Sequence, residues 1–202
     1  MGTLPPMPQP RNIRIISERP NVPGVLERYA RIPIAFEVTS QFTPYPVDHG
    51  LGGLLLREEP VPVSYRKDYD THEPPVQWRG SFDVTNWMAF TAFVNEVPAG
   101  GAVLACRTPG LDMLEGRDDL AVLWDLRVEP RFRRSGIGSA LFSAAEQWAS
   151  QAGCRTLKIE TQNINVPACR FYVRHGCDLR SIHANAYREF PEEIQLLWYK
   201  GL

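Results

Sequence analysis

The 202-residue chain contains no apolar run approaching the roughly 18 residues that a membrane-spanning helix needs. Its first residues, Met1-Gly-Thr-Leu-Pro-Pro6, have neither the basic nor the apolar segment of a secretory signal, so export is not expected. Charge of one sign is also missing in excess: 22 Lys and Arg against 23 Asp and Glu leave a net charge of -1. That balance argues against a general nucleic-acid or anionic-membrane binder, whose electrostatic footprint is basic. The cysteines are few (Cys106, Cys154, Cys169 and Cys177) and form no CxxC pair. In a chain this long without an export signal they read as free thiols in a reducing cytoplasm, not as a disulfide framework. No metal is expected either. Cys169, His175 and Cys177 lie close in sequence, but Cys169 and His175 leave a helix on different sides at about 100° per residue.

What is present is a composition that is 44% hydrophobic, enough for a core. Residues 1–11 carry Pro5, Pro6, Pro8 and Pro10 and read as a disordered or polyproline II arm. Residues 12–202 read as a single domain. Along it, Asn12–Ser17 alternates as a strand, and Val25, Leu26 and Tyr29 fall at helical spacing. Ile32–Val38 reads as a strand and Phe42–Gly53 as a loop. Leu54–Val63 reads as an edge strand, because Pro60 and Pro62 cannot donate to a central ladder. Ser64–Pro75 reads as a solvated loop. Trp87–Val94 and Gly100–Arg107 form a hairpin about Asn95-Glu96, and Ala121–Val128 is a further strand.

That strand runs into Glu129-Pro-Arg-Phe-Arg-Arg-Ser-Gly-Ile-Gly138, a basic loop with two glycines. A long amphipathic helix follows, with Ile137, Leu141, Ala144, Ala145, Trp148, Ala149 and Ala152 on one face and Gly153 as its stop. Thr156–Thr161 alternates as a strand. Asn165 caps a second helix with Pro167 in its first turn, whose face carries Ala168, Phe171, Tyr172 and His175. Cys177–Asn185 and Ile194–Lys200 close the chain as strands. The order predicts a mixed α/β sheet with helices on its faces. The N-terminal part must contribute strands to it, since three or four C-terminal strands alone would leave an edge exposed.

Bare amides at a helix N-terminus favour an anion, and Arg131, Arg133 and Arg134 beside them suit phosphate. A P-loop is excluded because no Lys-Ser/Thr follows the glycines. A dinucleotide fingerprint is excluded because Leu141 stands where its third glycine belongs. Arg133-Arg134-Ser135-Gly136-Ile137-Gly138 instead matches the R/Q-x-x-G-x-G/A pattern of the GCN5-related N-acetyltransferase (GNAT) superfamily. Leu126-Arg127-Val128-Glu129-Pro130 before it and Asn165-x-x-Ala168-x-x-Phe171-Tyr172 after it also resemble that family, from about Asp119 to the C-terminus. Within the family the chain resembles the streptothricin acetyltransferases. The resemblance rests on Glu160-Thr161-Gln162, Asn165-Val166-Pro167-Ala168-Cys169, Tyr65-Arg66-Lys67-Asp68-Tyr69 and Leu197-Trp198-Tyr199. Cys177 departs from the usual Phe, and the N-terminal region is longer and richer in proline.

The resemblance implies a mostly antiparallel central sheet with a cleft for acetyl-CoA between two splayed strands. It implies that the amides of Arg133, Arg134, Ser135, Gly136, Ile137, Gly138 and Ser139 hold the coenzyme A pyrophosphate. The backbone of Leu126, Arg127 and Val128 would pair with the pantetheine arm, and Asn165, Ala168 and Tyr172 would also touch the cofactor. The implied reaction is direct transfer of acetyl to a primary amine of a small molecule, streptothricin-like antibiotics included. The remaining readings are acetylation of a protein N-terminus or lysine, and a non-catalytic acyl-CoA-binding module. A homodimer is left open.

Such chemistry needs a neutral amine, although a lysine-type amine has a pKa of about 10.4, and a proton for a thiolate whose pKa is about 8.5. It also needs N–H donors aimed at the oxyanion. Tyr172 is the expected proton donor, a role that calls for surroundings that close the gap between phenol and thiol. Glu160, and after it Asp125, are the expected proton acceptors. Tyr65, Asp68, Tyr69, Trp124 and Glu160 are expected to shape the acceptor pocket. A covalent route through Cys169 is disfavoured, because a thioester is already activated and amines are good nucleophiles.

Overall fold

The computed structural model describes residues 13–202, so the expected proline-rich arm at 1–11 lies outside the described residues. The elements run β1 (Ile13–Glu18), α1 (Val25–Tyr29), β2 (Phe36–Pro46), β3 (Leu54–Lys67), α2 (Trp78–Ser81), β4 (Met88–Val94) and β5 (Val97–Cys106). They continue with β6 (Leu120–Val128), α3 (Ile137–Gln151), β7 (Thr156–Gln162), α4 (Val166–Arg174), β8 (Asp178–His183) and β9 (Gln195–Gly201). Seven strands form one sheet in the order β1-β4-β5-β6-β7-β9-β8, and β2 with β3 make a separate two-stranded ribbon. Every pairing is antiparallel except β6 with β7, which α3 connects.

The ribbon differs from expectation. β2 extends through Pro44 and Pro46, which mark a loop in the sequence, and β3 continues to Lys67. A two-stranded ribbon has two free edges, so a proline whose missing N–H faces outward costs no ladder bond. Pro62 falls where the register slips between Val38 and Ser40. Asn163 pins the ribbon to the main sheet: its Nδ2 donates to Phe42 O at 3.0 Å, and its Oδ1 accepts from Ile194 N at 2.9 Å.

Two cores sandwich the main sheet. On one face α3 buries Ile137, Leu141, Phe142, Ala145 and Ala149 against β4, β5 and β6. Phe142, which the expected face omits, joins α3 to α4, with ring centroids 5.8 Å from Phe171 and 6.0 Å from Tyr172. On the other face Tyr29, Trp78, Trp87, Val103 and Val122 close a second core. Tyr29 approaches β5 so nearly that a Cβ on Gly101 would lie 2.3 Å from its ring, which only glycine permits.

The feature that positions the site is the middle of β6. Its register with β5 jumps from Leu104↔Leu123 to Val103↔Asp125, leaving Trp124 as a bulge. Bulges bend a strand and increase its twist. The parallel pairing with β7 stops at Leu123↔Ile159, although β6 runs on to Val128 and β7 to Gln162. Beyond that point β6 pairs only with β5, and β7 only with β9. The two strands therefore splay.

Candidate active site

The floor of the splay is the loop that ends β6. Arg134 (φ 63°) and Gly136 (φ 87°) are both left-handed, and Gly136 is the N-cap of α3. Among the described residues no acceptor takes the backbone N–H of any residue from Arg134 to Ser139; the next, Ala140 N, bonds Gly136 O at 3.0 Å. Six consecutive amides at the positive end of a 15-residue helix form a cradle for an anion. Gly138 also lets α3 meet α4, since a Cβ there would sit 3.3 Å from the Phe171 ring.

The loop arginines do not all serve the anion. Arg133 donates to Val128 O at 3.1 Å and to Ala35 O at 2.7 Å, so its guanidinium braces the loop and occupies the Val128 carbonyl. Arg131 pairs with Glu129. Arg134 instead borders a pocket of about 290 Å³ with Val166, Pro167, Arg170 and Arg174 of α4. The Ser139 hydroxyl lies 3.0 Å from His175 Nε2, a second stitch between the helices. Asn165 caps α4, its Oδ1 accepting from Ala168 N at 3.3 Å.

Tyr172 lies on α4 with 6% of its surface exposed, and its hydroxyl bonds no described residue. Burial pushes its phenol well up, with Asp125, Cys177 and Cys169 adding to the effect. The environment thus widens the gap to a thiol instead of closing it. The phenol keeps its proton throughout the neutral range and is an available donor. Cys169, by contrast, is 1% exposed and 3.4 Å from Thr161 Oγ1, and burial lifts its thiol to about 11. A thiol held there is a poor nucleophile.

Glu160 stands on β7 where the strands part. Tyr187 Oη donates to its Oε1 at 2.6 Å and Gln195 Nε2 to its Oε2 at 2.7 Å, both from neutral groups. Asp125 is occupied differently. Its Oδ1 accepts from Tyr29 Oη at 2.7 Å and from Arg127 Nε at 2.9 Å, and its Oδ2 accepts from the same guanidinium. Arg127 goes on to Ile32 O at 3.0 Å and to both oxygens of Asp70. Burial works against that guanidinium charge, but Asp125 outweighs it and Arg127 is held above its ordinary value. Both oxygens of Asp125, the second expected proton acceptor, are thus engaged by Tyr29 and Arg127. The Arg127 side chain is thereby committed to Asp125, Asp70 and the Ile32 carbonyl.

The expected acceptor-pocket residues divide. Trp124 packs against the aromatic core, 5.0 Å from Phe82 and 5.2 Å from Trp87, and is partly exposed. Asp68 caps the turn that follows β3, accepting from Asp70 N at 3.2 Å. Tyr65 is exposed on β3, and Tyr69 Oη donates to Glu193 Oε2 at 2.7 Å. Glu193, 2% exposed, also receives Lys67. Glu73 adds a third carboxylate near the cleft: burial raises it, with Glu160 and Asp125 as the next causes. Tyr187, Gln195, Glu193, Lys67 and Asp70 were not singled out from the sequence. They lie in turns or at strand ends, where no periodicity marks them.

The family model "Acetyltransferase (GNAT) family" matches residues 54–177. The chain belongs to the GNAT family of acetyltransferases. Streptothricin acetyltransferase A of Bacillus subtilis is 36% identical over 81 residues, 39% of this chain and 47% of that protein. The streptothricin acetyltransferase of Escherichia coli is 32% identical over 85 residues, 41% of this chain and 49% of that protein. The chain thus spans about half the length of these curated relatives. The fold extends further: nourseothricin acetyltransferase superposes with a TM-score of 0.73 at 23% identity, covering 94% of this chain and 98% of that one. A protein of Bacillus anthracis str. Ames in complex with acetyl coenzyme A gives 0.72 at 22% identity, covering 94% and 99%.

GNAT enzymes draw on acetyl-CoA, and the residues here fit it. The free amides of Arg134 to Ser139 suit its pyrophosphate, and the splayed backbone of β6 suits its amide-bearing arm. Among the described residues no group of His, Cys, Asp and Glu could hold a metal, and no helix is long and apolar enough to cross a membrane.

Proposed function

We propose that the protein transfers the acetyl group of acetyl-CoA to a primary amine of a small cationic acceptor of the streptothricin type, within one domain spanning residues 12–202. The observation that carries this reading is the splay of β6 from β7, with an anion cradle at its floor, the unpartnered Tyr172 hydroxyl on one side and the neutrally hydrogen-bonded Glu160 on the other. Bound acetyl-CoA supplies an acetyl group already activated as a thioester. The amides of Arg134 to Ser139 hold its pyrophosphate, and the β6 backbone from Leu126 to Arg127 aligns its arm. Glu160 accepts the proton that the amine loses as its nitrogen bonds to the acetyl carbon. Tyr172 gives its proton to the sulfur as the carbon–sulfur bond breaks and regains one from solvent.

The acceptor side supports a small cation over a peptide. The loop between β8 and β9 is tied across the cleft by Tyr187 on Glu160 and by Glu193 on Lys67 and Tyr69. That closure narrows the groove a peptide backbone would need, and Glu160 and Glu73 place negative charge beside it. Free-thiol release from acetyl-CoA tests the reading across nourseothricin, simple diamines and peptides. Nourseothricin and diamines are expected to turn over. Turnover confined to peptides would reverse the acceptor class, and acetyl-CoA binding without turnover of any amine would leave a binding module.

A further inference from the structure

With Glu160 read as the proton acceptor, we infer that Tyr187 is its positioning residue, delivered by the β8–β9 loop to orient the carboxylate without setting a counter-charge against it.

The loop is built for that contact. Ala184, Asn185, Ala186, Arg188 and Glu189 are exposed, but Tyr187 turns inward. Three latches hold the segment. Tyr187 Oη meets Glu160 Oε1 at 2.6 Å. Phe190 meets the His72 ring edge-on at 4.8 Å, with the Lys67 ammonium 3.5 Å from its centroid. Buried Glu193 receives Lys67 and Tyr69. The direction of the key bond is fixed as well: Gln162 Nε2 donates to Tyr187 Oη at 3.1 Å, so the phenolic proton is turned toward Glu160. Burial and the adjoining carboxylate push the Tyr187 phenol up, which keeps it a donor.

The chemistry explains why a tyrosine stands there. A carboxylate has about four lone-pair sites. Tyr187 and Gln195 take one on each oxygen, which leaves the others for an incoming N–H. An arginine would orient Glu160 as firmly but neutralise it, as Arg127 does to Asp125. The charged groups near the Glu160–Tyr187 pair are Glu73 from the turn before α2, which adjoins Glu160 and also Asp125 of the Asp125–Arg127 pair, and Glu193 at the end of the loop, which adjoins Tyr187. Glu73 disfavours a second negative charge nearby. A hydrogen bond from Tyr187 to the ionised form opposes that effect.

Removing the phenolic hydroxyl therefore takes away a hydrogen bond that favours the charged carboxylate over the protonated one. Losing one hydrogen bond to a charged group corresponds to roughly one pH unit. In Tyr187→Phe, the acidic limb of kcat/KM with nourseothricin should move up by about that much, lowering the rate roughly tenfold on the limb. In a Glu160→Gln background the same substitution should move nothing further. A titration of carbon-13-labelled glutamate, with the Glu160 signal assigned by Glu160→Gln, reads the same shift without any acceptor. Gln195→Leu, which strips the other oxygen, should shift Glu160 in the same direction and covers the case that Tyr187→Phe fails to fold. An unmoved Glu160 titration in folded Tyr187→Phe overturns the inference. A moved titration with an unmoved rate profile retains the positioning contact and overturns Glu160 as the base instead.

Discussion

Arg127 clasps Asp125 through two nitrogens of one guanidinium beneath the point where β6 leaves β7, and the same guanidinium reaches Asp70 at 2.7 and 3.0 Å. Three distant segments, the turn after β3, the Ile32 carbonyl and β6, are held by this one side chain, which is 2% exposed. Arg127→Met strands Asp125 in the interior without a counter-charge. Loss of one member of a buried pair costs about 3–5 kcal/mol, so a large drop in thermal midpoint is expected. Pairing it with Asp125→Asn should recover part of the loss, and the two melting curves measure both effects.

Tyr172→Phe removes a hydroxyl that bonds no described residue, so stability should change little. Turnover should fall by about a hundredfold or more, the range for loss of a positioned proton donor. Acetyl-CoA affinity, read by calorimetry, should stay close to the parent value. A turnover equal to that of the parent removes Tyr172 from the reaction.

Gly138 faces two demands at once, the ligand cradle and the α3–α4 contact. A bulky substitution such as Gly138→Trp would block acetyl-CoA, but it would also collide with Phe171, whose ring lies 3.3 Å from where a Cβ would be. Gly138→Ala is the cleaner variant. The Phe171 ring must give by a few tenths of an ångström, so the melting temperature should fall slightly while the acetyl-CoA dissociation constant rises. Unchanged affinity would separate the two demands.

Glu58 on β3 is held below the ordinary carboxylate range, first by its hydrogen bond from Arg170 of α4 and then by Ser40. A carboxylate depressed in the folded state contributes stability above its unfolded pKa of about 4.3, and loses it as pH falls through the folded value. The partly exposed pair is screened, so the effect is local. Hydrogen-exchange protection in β2 and β3, taken relative to the unfolded chain at the same pH, should fall below about pH 4, and Glu58→Gln should show the weaker protection already at neutral pH.

The donor half of the site is legible in the sequence because it is made of local pattern. Gly136, Gly138 and Asn165 act through backbone conformation and capping, and the apolar period of α3 marks its face. The acceptor half joins side chains from segments far apart. Tyr187 and Glu160 meet across 27 positions, and Lys67 and Glu193 across 126, with nothing periodic to announce either. The ribbon was obscured for a different reason. Pro44 and Pro46 signal a loop wherever a ladder is continuous on both sides, and here it is not. The partners of Asp125 are hidden in the same way: its sequence neighbourhood marks its strand but not the Tyr29 and Arg127 that engage it.

The bulge at Trp124 has a consequence for how the gene can change. Side chains on a strand alternate between faces, and the extra residue resets that alternation: Leu123 and Leu126 both pack against the α3 side. Deleting Trp124 would therefore leave Leu126, Arg127 and Val128 on the faces they hold now, because it removes the doubled residue and restores plain alternation. What goes with it is the local bend and the added twist. Deleting a residue further along the strand would instead exchange the two faces of everything after it. A codon lost at the bulge thus spares the sandwich and straightens the strand, whereas one lost beyond it turns Arg127 or Val128 into the wrong core.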